Sequence, residues 1–136
     1  MLLFGRKTYQ YMAAYWPSAP ADEVEERMNN LPKIVFSKTL KSAEWKNSIL
    51  VKSDAVKEIS RLKQMPGQDM VILGSASLAS FLLERGIIDE YRVILSPVFL
   101  GSGKHLFQAV KQRLRLRLSR TKLFGSGVGV LYYQSA

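Results

Sequence analysis

Short apolar runs recur along the chain: Leu2-Leu3-Phe4, Ile34-Val35-Phe36, Ile49-Leu50-Val51, Met70-Val71-Ile72-Leu73 and Val93-Ile94-Leu95. Each is of strand length and apolar throughout, the pattern of strands covered on both faces. Helical spacing lies between them. Val24, Met28 and Leu31 follow i, i+4, i+7 behind Pro20, a good opening residue for a helix. Ala55, Val56, Ile59 and Leu62 form one stripe, with Ser53 as the expected N-cap and Pro66-Gly67 as the stop. Leu78, Phe81 and Leu82 form another, closed by Gly86. Near the end the period changes to two. Leu114, Leu116 and Leu118 alternate with Arg113, Arg115 and Arg117, giving a strand with an apolar face and a basic face. Gly125-Ser126-Gly127 allows a turn, and Val128–Tyr133 returns as the partner strand. Alternating strands and helices ending in a hairpin predict an α/β fold. Its mixed sheet would have parallel inner strands and an antiparallel C-terminal pair. The 136 residues suit one domain, expected to span 1–136.

Composition narrows the chemistry. There is no cysteine, so disulfides, thiol catalysis and thiolate metal sites are excluded. A single histidine, His105, rules out a multi-histidine metal site within one chain, and no metal is expected. No apolar run reaches the roughly 18 residues that cross a bilayer. Met1-Leu2-Leu3-Phe4 is too short and lacks the basic lead of a signal peptide. The expectation is a soluble, cytoplasmic protein with no membrane association. The net charge of +9 favours anionic partners. The cations concentrate at Lys111, Arg113, Arg115, Arg117, Arg120 and Lys122, and acids at Asp22, Glu23, Glu25 and Glu26.

Candidate sites fall where strands end. In Phe4-Gly5-Arg6-Lys7-Thr8-Tyr9 a strand meets glycine and a helix opens with two cations and a hydroxyl. Free N–H groups at a helix start bind phosphate, although an ordinary strand-to-helix turn has the same outline. Leu73-Gly74-Ser75-Ala76-Ser77-Leu78 repeats the arrangement, with small residues that admit a ligand to the backbone. It is neither a P-loop nor GxGxxG, and Ser75 or Ser77 could serve only as an N-cap. Ser37-Lys38-Thr39 places a hydroxyl and an amine after the strand ending at Phe36, where they could hold a phosphate, although an ordinary polar loop is the simpler reading of these residues alone. Pro97 to His105 is a glycine-containing loop whose histidine has no acidic neighbour with which to form a triad. The Arg113/Arg115/Arg117 face could attract nucleic acid. However, no aromatic residue lies between Lys111 and Leu123 to stack bases, so a solvated or dimer-facing strand is the simpler reading.

The order of these pieces resembles the dihydrofolate reductase-like superfamily. The nearest branch is the reductase domain of the riboflavin-biosynthesis deaminase-reductase and its stand-alone relatives. The resemblance rests on Leu3–Tyr9, Pro32–Lys38, Val71–Leu78, Ile88–Tyr91 and Ser96–Gly103, in family order and spacing. It implies a three-layer α/β/α fold and an NADPH-dependent reductase related to 5-amino-6-(5-phosphoribosylamino)uracil reductase. Such an enzyme transfers hydride to a small heterocyclic or phosphorylated substrate. By the same resemblance, Gly5, Arg6, Lys7 and Thr8 hold cofactor phosphates, and Arg6, Ser37 and Lys38 surround the 2′-phosphate. Gly74, Ser75, Ala76 and Ser77 face the pyrophosphate, with Ser75 standing where the family usually has a second glycine. Family members open with a further strand and helix before the Gly-Arg-x-Thr turn. The resemblance therefore implies an N-terminally truncated domain with no assignable catalytic residue, and a homodimer. A non-catalytic remnant acting through self-association is the alternative, and nucleic-acid binding ranks below both.

Overall fold

In a computed structural model of the chain, residues 1–67, 69–107 and 110–136 are described. They form two compact units, Met1–Ala79 and Ser80–Ala136.

The first unit is built on parallel strands β1 (Leu2–Gly5), β2 (Lys33–Phe36), β3 (Ser48–Val51) and β4 (Val71–Ile72), in the order β3-β2-β1-β4. The connections carry α1 (Arg6–Tyr15), α2 (Glu23–Asn30) and α3 (Ala55–Lys63). β1 and β2 are the inner strands, and Leu2, Leu3, Phe4, Ile34 and Val35 are buried. β3 lies at the edge, and Ile49 is 65% exposed despite its apolar run. An unbroken apolar run thus marks a strand without saying that both faces are covered.

Two helix starts differ from expectation. α2 opens behind Asp22 rather than Pro20, because the Asp22 carboxylate accepts from the Glu25 N–H at 2.7 Å. α3 is capped by Asp54, one residue beyond Ser53, through the N–H groups of Val56 and Lys57. In both cases a carboxylate supplies the charged acceptor that a positive helix end prefers.

The core joins Leu2 and Phe4 of β1, Tyr9 of α1, Met28 of α2, Val35 of β2 and Trp45. Phe4, Tyr9 and Trp45 pack as an aromatic trio with ring centroids 6.1–6.5 Å apart. Its polar atoms are satisfied: the Trp45 N–H donates to the Tyr9 hydroxyl at 3.0 Å, and Trp45 Nε1 donates to Asn29 Oδ1 at 2.7 Å.

α4 (Ala76–Leu83) ends at Gly86, which has φ +64° and an N–H bonded to the Leu83 carbonyl. In the second unit, β5 (Glu90–Leu95), β6 (Leu116–Leu123) and β7 (Gly129–Ser135) form an antiparallel sheet with β7 in the centre. The expected terminal pairing is present. Leu116 pairs with Ser135 and Leu118 with Tyr133, and Gly127 takes φ +83° in the connecting turn. The alternating strand is shifted, however: Arg113, Leu114 and Arg115 precede β6, and its register slips between Leu118 and Arg120. Leu116 and Leu118 are exposed, so the predicted apolar face is not covered within the sheet's own described residues.

Candidate functional site

Sheet topology selects one place in the first unit. From β1 the chain moves outward to β2 and β3, then returns to the other side of β1 as β4. Strand order reverses between β1 and β4. In open parallel sheets, ligands bind beyond the carboxyl ends of the strands at such a reversal. The residues there are Gly5, ending β1, and the Gly74-Ser75 turn after β4. Leu3 is paired with Ile72, which puts Gly5 and Gly74 level, two residues further along their strands.

The two turns are clasped together. The Gly5 N–H donates to Ser75 Oγ at 3.0 Å, and the Ser75 N–H donates to Thr8 Oγ1 at 3.1 Å. Both hydroxyl oxygens act as acceptors, so each hydroxyl keeps its proton to donate. Ser75 is buried and has φ +46°, a left-handed conformation costly for a residue with a Cβ. Gly74 before it has φ +60°, and a Cβ there would lie 3.5 Å from Thr8 Cγ2. The strained pair therefore turns its serine inward onto Gly5. The Ser75 side chain is spent on the clasp.

The clasp separates two contributions. Ser75→Ala keeps the left-handed strain and loses the bond to Gly5, and should cost about 1–2 kcal/mol. Ser75→Gly loses the same bond but relieves the strain, and should be about 1 kcal/mol more stable than Ser75→Ala. Urea unfolding of the two variants measures the difference; equal stabilities would contradict the strain assignment.

Around the clasp, the start of α1 is unbalanced. Gly5 offers no side-chain cap, the first turn has no acidic residue, and Arg6 and Lys7 stand exposed there. Cations at the positive end of a helix are unfavourable, and an anion bound at the free N–H groups relieves that. Ala76 and Ser77 are exposed in the first turn of α4. On the other side, Gly5 is paired with Phe36, so Arg6 and Ser37 are the next residues out of two adjacent strand ends. Ser37 Oγ accepts from the N–H groups of Thr39 at 3.2 Å and Leu40 at 3.0 Å, which folds the loop and leaves Lys38 exposed. Topology thus brings all three predicted turns to the carboxyl end of one sheet, and backbone-to-hydroxyl bonds tie the Gly5 and Gly74 turns together.

His105 sits on an exposed loop of the second unit. Among the described residues there is no group of three or more His, Asp or Glu side chains that could hold a metal. None of the described helices is long and apolar enough to cross a membrane.

Residues 1–130 match the family described as the RibD C-terminal domain. The chain belongs to that family. The Bacillus subtilis (strain 168) protein YyaP is 35% identical over 97% of this chain and 72% of its own length. A putative riboflavin biosynthesis protein from Shewanella sp. PV-4 superposes with a TM-score of 0.77 at 22% identity, covering 99% of this chain and 73% of that one. Acinetobacter baumannii RibD gives a TM-score of 0.69 at 16% identity, covering all of this chain and 47% of that one. The fold is the dihydrofolate reductase-like one that the sequence resemblance implies.

One important residue escaped the motif reading. Lys33 lies in an otherwise apolar strand and is only 1% exposed. Its Nζ donates to the carbonyls of Asn29, Leu31 and Lys46 at 2.8–3.0 Å and lies 4.3 Å from the Trp45 ring centre. Burial, helped by the charge of Lys46, pulls its pKa down to about 8. Lysine at the head of the apolar run Ile34-Val35-Phe36 was the available signal. Lys33 opens β2, at the opposite end of the strand from Ser37. It therefore serves the fold rather than the site.

Proposed function

We propose that this RibD C-terminal domain protein is an NADPH-dependent reductase. Its substrate would be a small heterocycle, free or phosphorylated, of the class reduced by 5-amino-6-(5-phosphoribosylamino)uracil reductase. The observation that carries the reading is the clasped pair of turns at the strand reversal, with unbalanced cations at the start of α1. Thr8, Ser75 and the first N–H groups of α1 and α4 have the donor chemistry for a pyrophosphate. Arg6, Lys7 and Lys38, with the Ser37 hydroxyl, have the charge to hold an additional 2′-phosphate. Bound there, the nicotinamide cofactor would supply hydride. The cations and hydroxyls of this chain bind and orient its phosphates, and none is placed as an acid, base or nucleophile.

The reading predicts heterocycle-dependent loss of reduced-nicotinamide absorbance when NADPH and a ribosylaminopyrimidine are mixed with the protein. NADPH binding with no turnover across that substrate class would contradict the reductase assignment and favour a binding-only domain.

The second proposal is a homodimer, supported by the exposed edge strand β3 with Ile49 and by the exposed apolar residues Leu116 and Leu118 of β6. Light scattering should give twice the 15.4 kDa chain mass. A mass of one chain at high concentration would contradict it.

A further inference from the structure

The basic stretch near the C-terminus has no aromatic residue of its own, but the sheet supplies one from the neighbouring strand. Opposed residues of antiparallel strands share a face. Arg92 of β5, Tyr132 of β7 and Arg120 of β6 form one row across the sheet. Glu90, Gln134 and Arg117 form the next row on the same face, and Ile94, Val130 and Lys122 the third.

The register shift in β6 makes this face possible. Strict alternation would put Arg120 and Lys122 on the face opposite Arg117. The slip between Leu118 and Arg120 inserts one residue, and Ser119 Oγ donates to the Tyr132 carbonyl at the bulge. All three cations consequently lie on one side.

The contacts agree with this placement. The Arg120 guanidinium lies 3.9 Å from the Tyr132 ring centre, and Arg92 lies 5.3 Å from it. Arg117 donates to Gln134 Oε1 at 2.8 Å, and Lys122 sits 4.7 Å from the Phe124 ring centre. Glu90, paired with Arg92 at 2.7 Å, is the one acid among the nine residues of the three rows. Arg92, Arg117, Arg120 and Lys122 are exposed, and Ile94 is 66% exposed.

We propose that this face of the β5-β7-β6 sheet binds single-stranded nucleic acid. The cations of β6 form a track for a phosphate backbone. The exposed guanidinium planes held against the Tyr132 ring, together with Ile94, form a platform on which unpaired bases stack. A row of cations alone would suit any polyanion. The aromatic residue held between two guanidinium groups favours a strand whose bases are free to leave their own stack. This surface is in the second unit and does not rest on the nucleotide-cofactor reading of the first.

Fluorescence anisotropy of a labelled oligothymidylate with the full chain at low salt tests the proposal. With Arg117, Arg120 and Lys122 contacting phosphates, affinity should fall with salt at a log–log slope of about −2. The double variant Arg120→Glu/Lys122→Glu should weaken binding at least tenfold with an unchanged thermal melt. A control with the same change in net charge, Lys41→Glu/Lys57→Glu in the first unit, should bind within about twofold of wild type. Tyr132→Leu should weaken binding roughly tenfold and leave the salt slope unchanged, because stacking rather than charge is lost. The proposal is overturned if wild type fails to bind, if the control weakens binding as much as the double variant, or if duplex binds as tightly as single strand. Loss of a homodimer in the double variant, with oligothymidylate affinity unchanged, also overturns it and makes the face an interface between copies.

Discussion

Replacing Lys33 with alanine is expected to lower stability by about 2–5 kcal/mol, the range for truncating a large buried side chain, here with carbonyls left without a donor. Three backbone carbonyls lose their donor together, two of them at the end of α2, and the Trp45 ring loses the cation beside it. Lys33→Met refills more of the volume and should cost less, leaving mainly the three unsatisfied carbonyls. The pH dependence separates this from a simple cavity effect. The pKa of Lys33 is about 8 in the folded chain, against 10.5 for an unperturbed lysine. Below about pH 8 both states hold the proton. Between pH 8 and 10.5 the unfolded chain binds more protons, so this residue's contribution to stability rises with pH. At ~1.4 kcal/mol per unit of pKa difference, the rise can total at most about 3–4 kcal/mol. Urea titrations should therefore show the wild type gaining on Lys33→Met as pH increases from neutral to 9.5. A constant gap would mean that Lys33 is no harder to protonate when folded.

Arg6→Ala should have its main effect on nucleotide choice. Arg6 is exposed in the uncapped first turn of α1, next to the end of β2, where Ser37 and Lys38 follow. On the proposed cofactor site, its loss would remove a charge-assisted bond worth about 1–3 kcal/mol to a 2′-phosphate and nothing comparable from a nucleotide lacking that group. Binding of NADPH should weaken roughly 5- to 150-fold while binding of NADH changes little. The fold should be unaffected, because the buried partner in this helix is Tyr9. Equal weakening for both nucleotides would assign Arg6 to the pyrophosphate instead.

The apolar runs carried most of the fold. Five of them became strands, since backbone hydrogen bonds and burial leave an unbroken β-branched or leucine run few other options. Local polar competition was harder to read. Ser53 and Asp54 both offer an oxygen to the start of α3, and only the backbone path decides that Asp54 reaches the N–H groups. The candidate turns were visible as glycine followed by cations or small residues. The clasp between them was not, because a bond between residues 5 and 75 depends on β4 returning beside β1. The same holds for Tyr132. Alternation along β6 cannot show which residue of β7 lies opposite, and one bulge at Ser119 moves two cations to the other face. Lys33 was hidden for a further reason: a buried cation looks like any surface lysine until three carbonyls converge on it.

Cofactor choice by the unmodified chain tests the proposed site most directly. Buried Trp45 and partly buried Trp16 both lie in the unit that carries the clasped turns, so their fluorescence can report titrations with NADPH and NADH. The charge at Arg6, Lys7 and Lys38 predicts saturable binding of both, with NADPH at least tenfold tighter and the advantage shrinking as salt increases. Equal affinities would contradict the 2′-phosphate assignment, and failure of either nucleotide to bind would contradict the cofactor site as a whole.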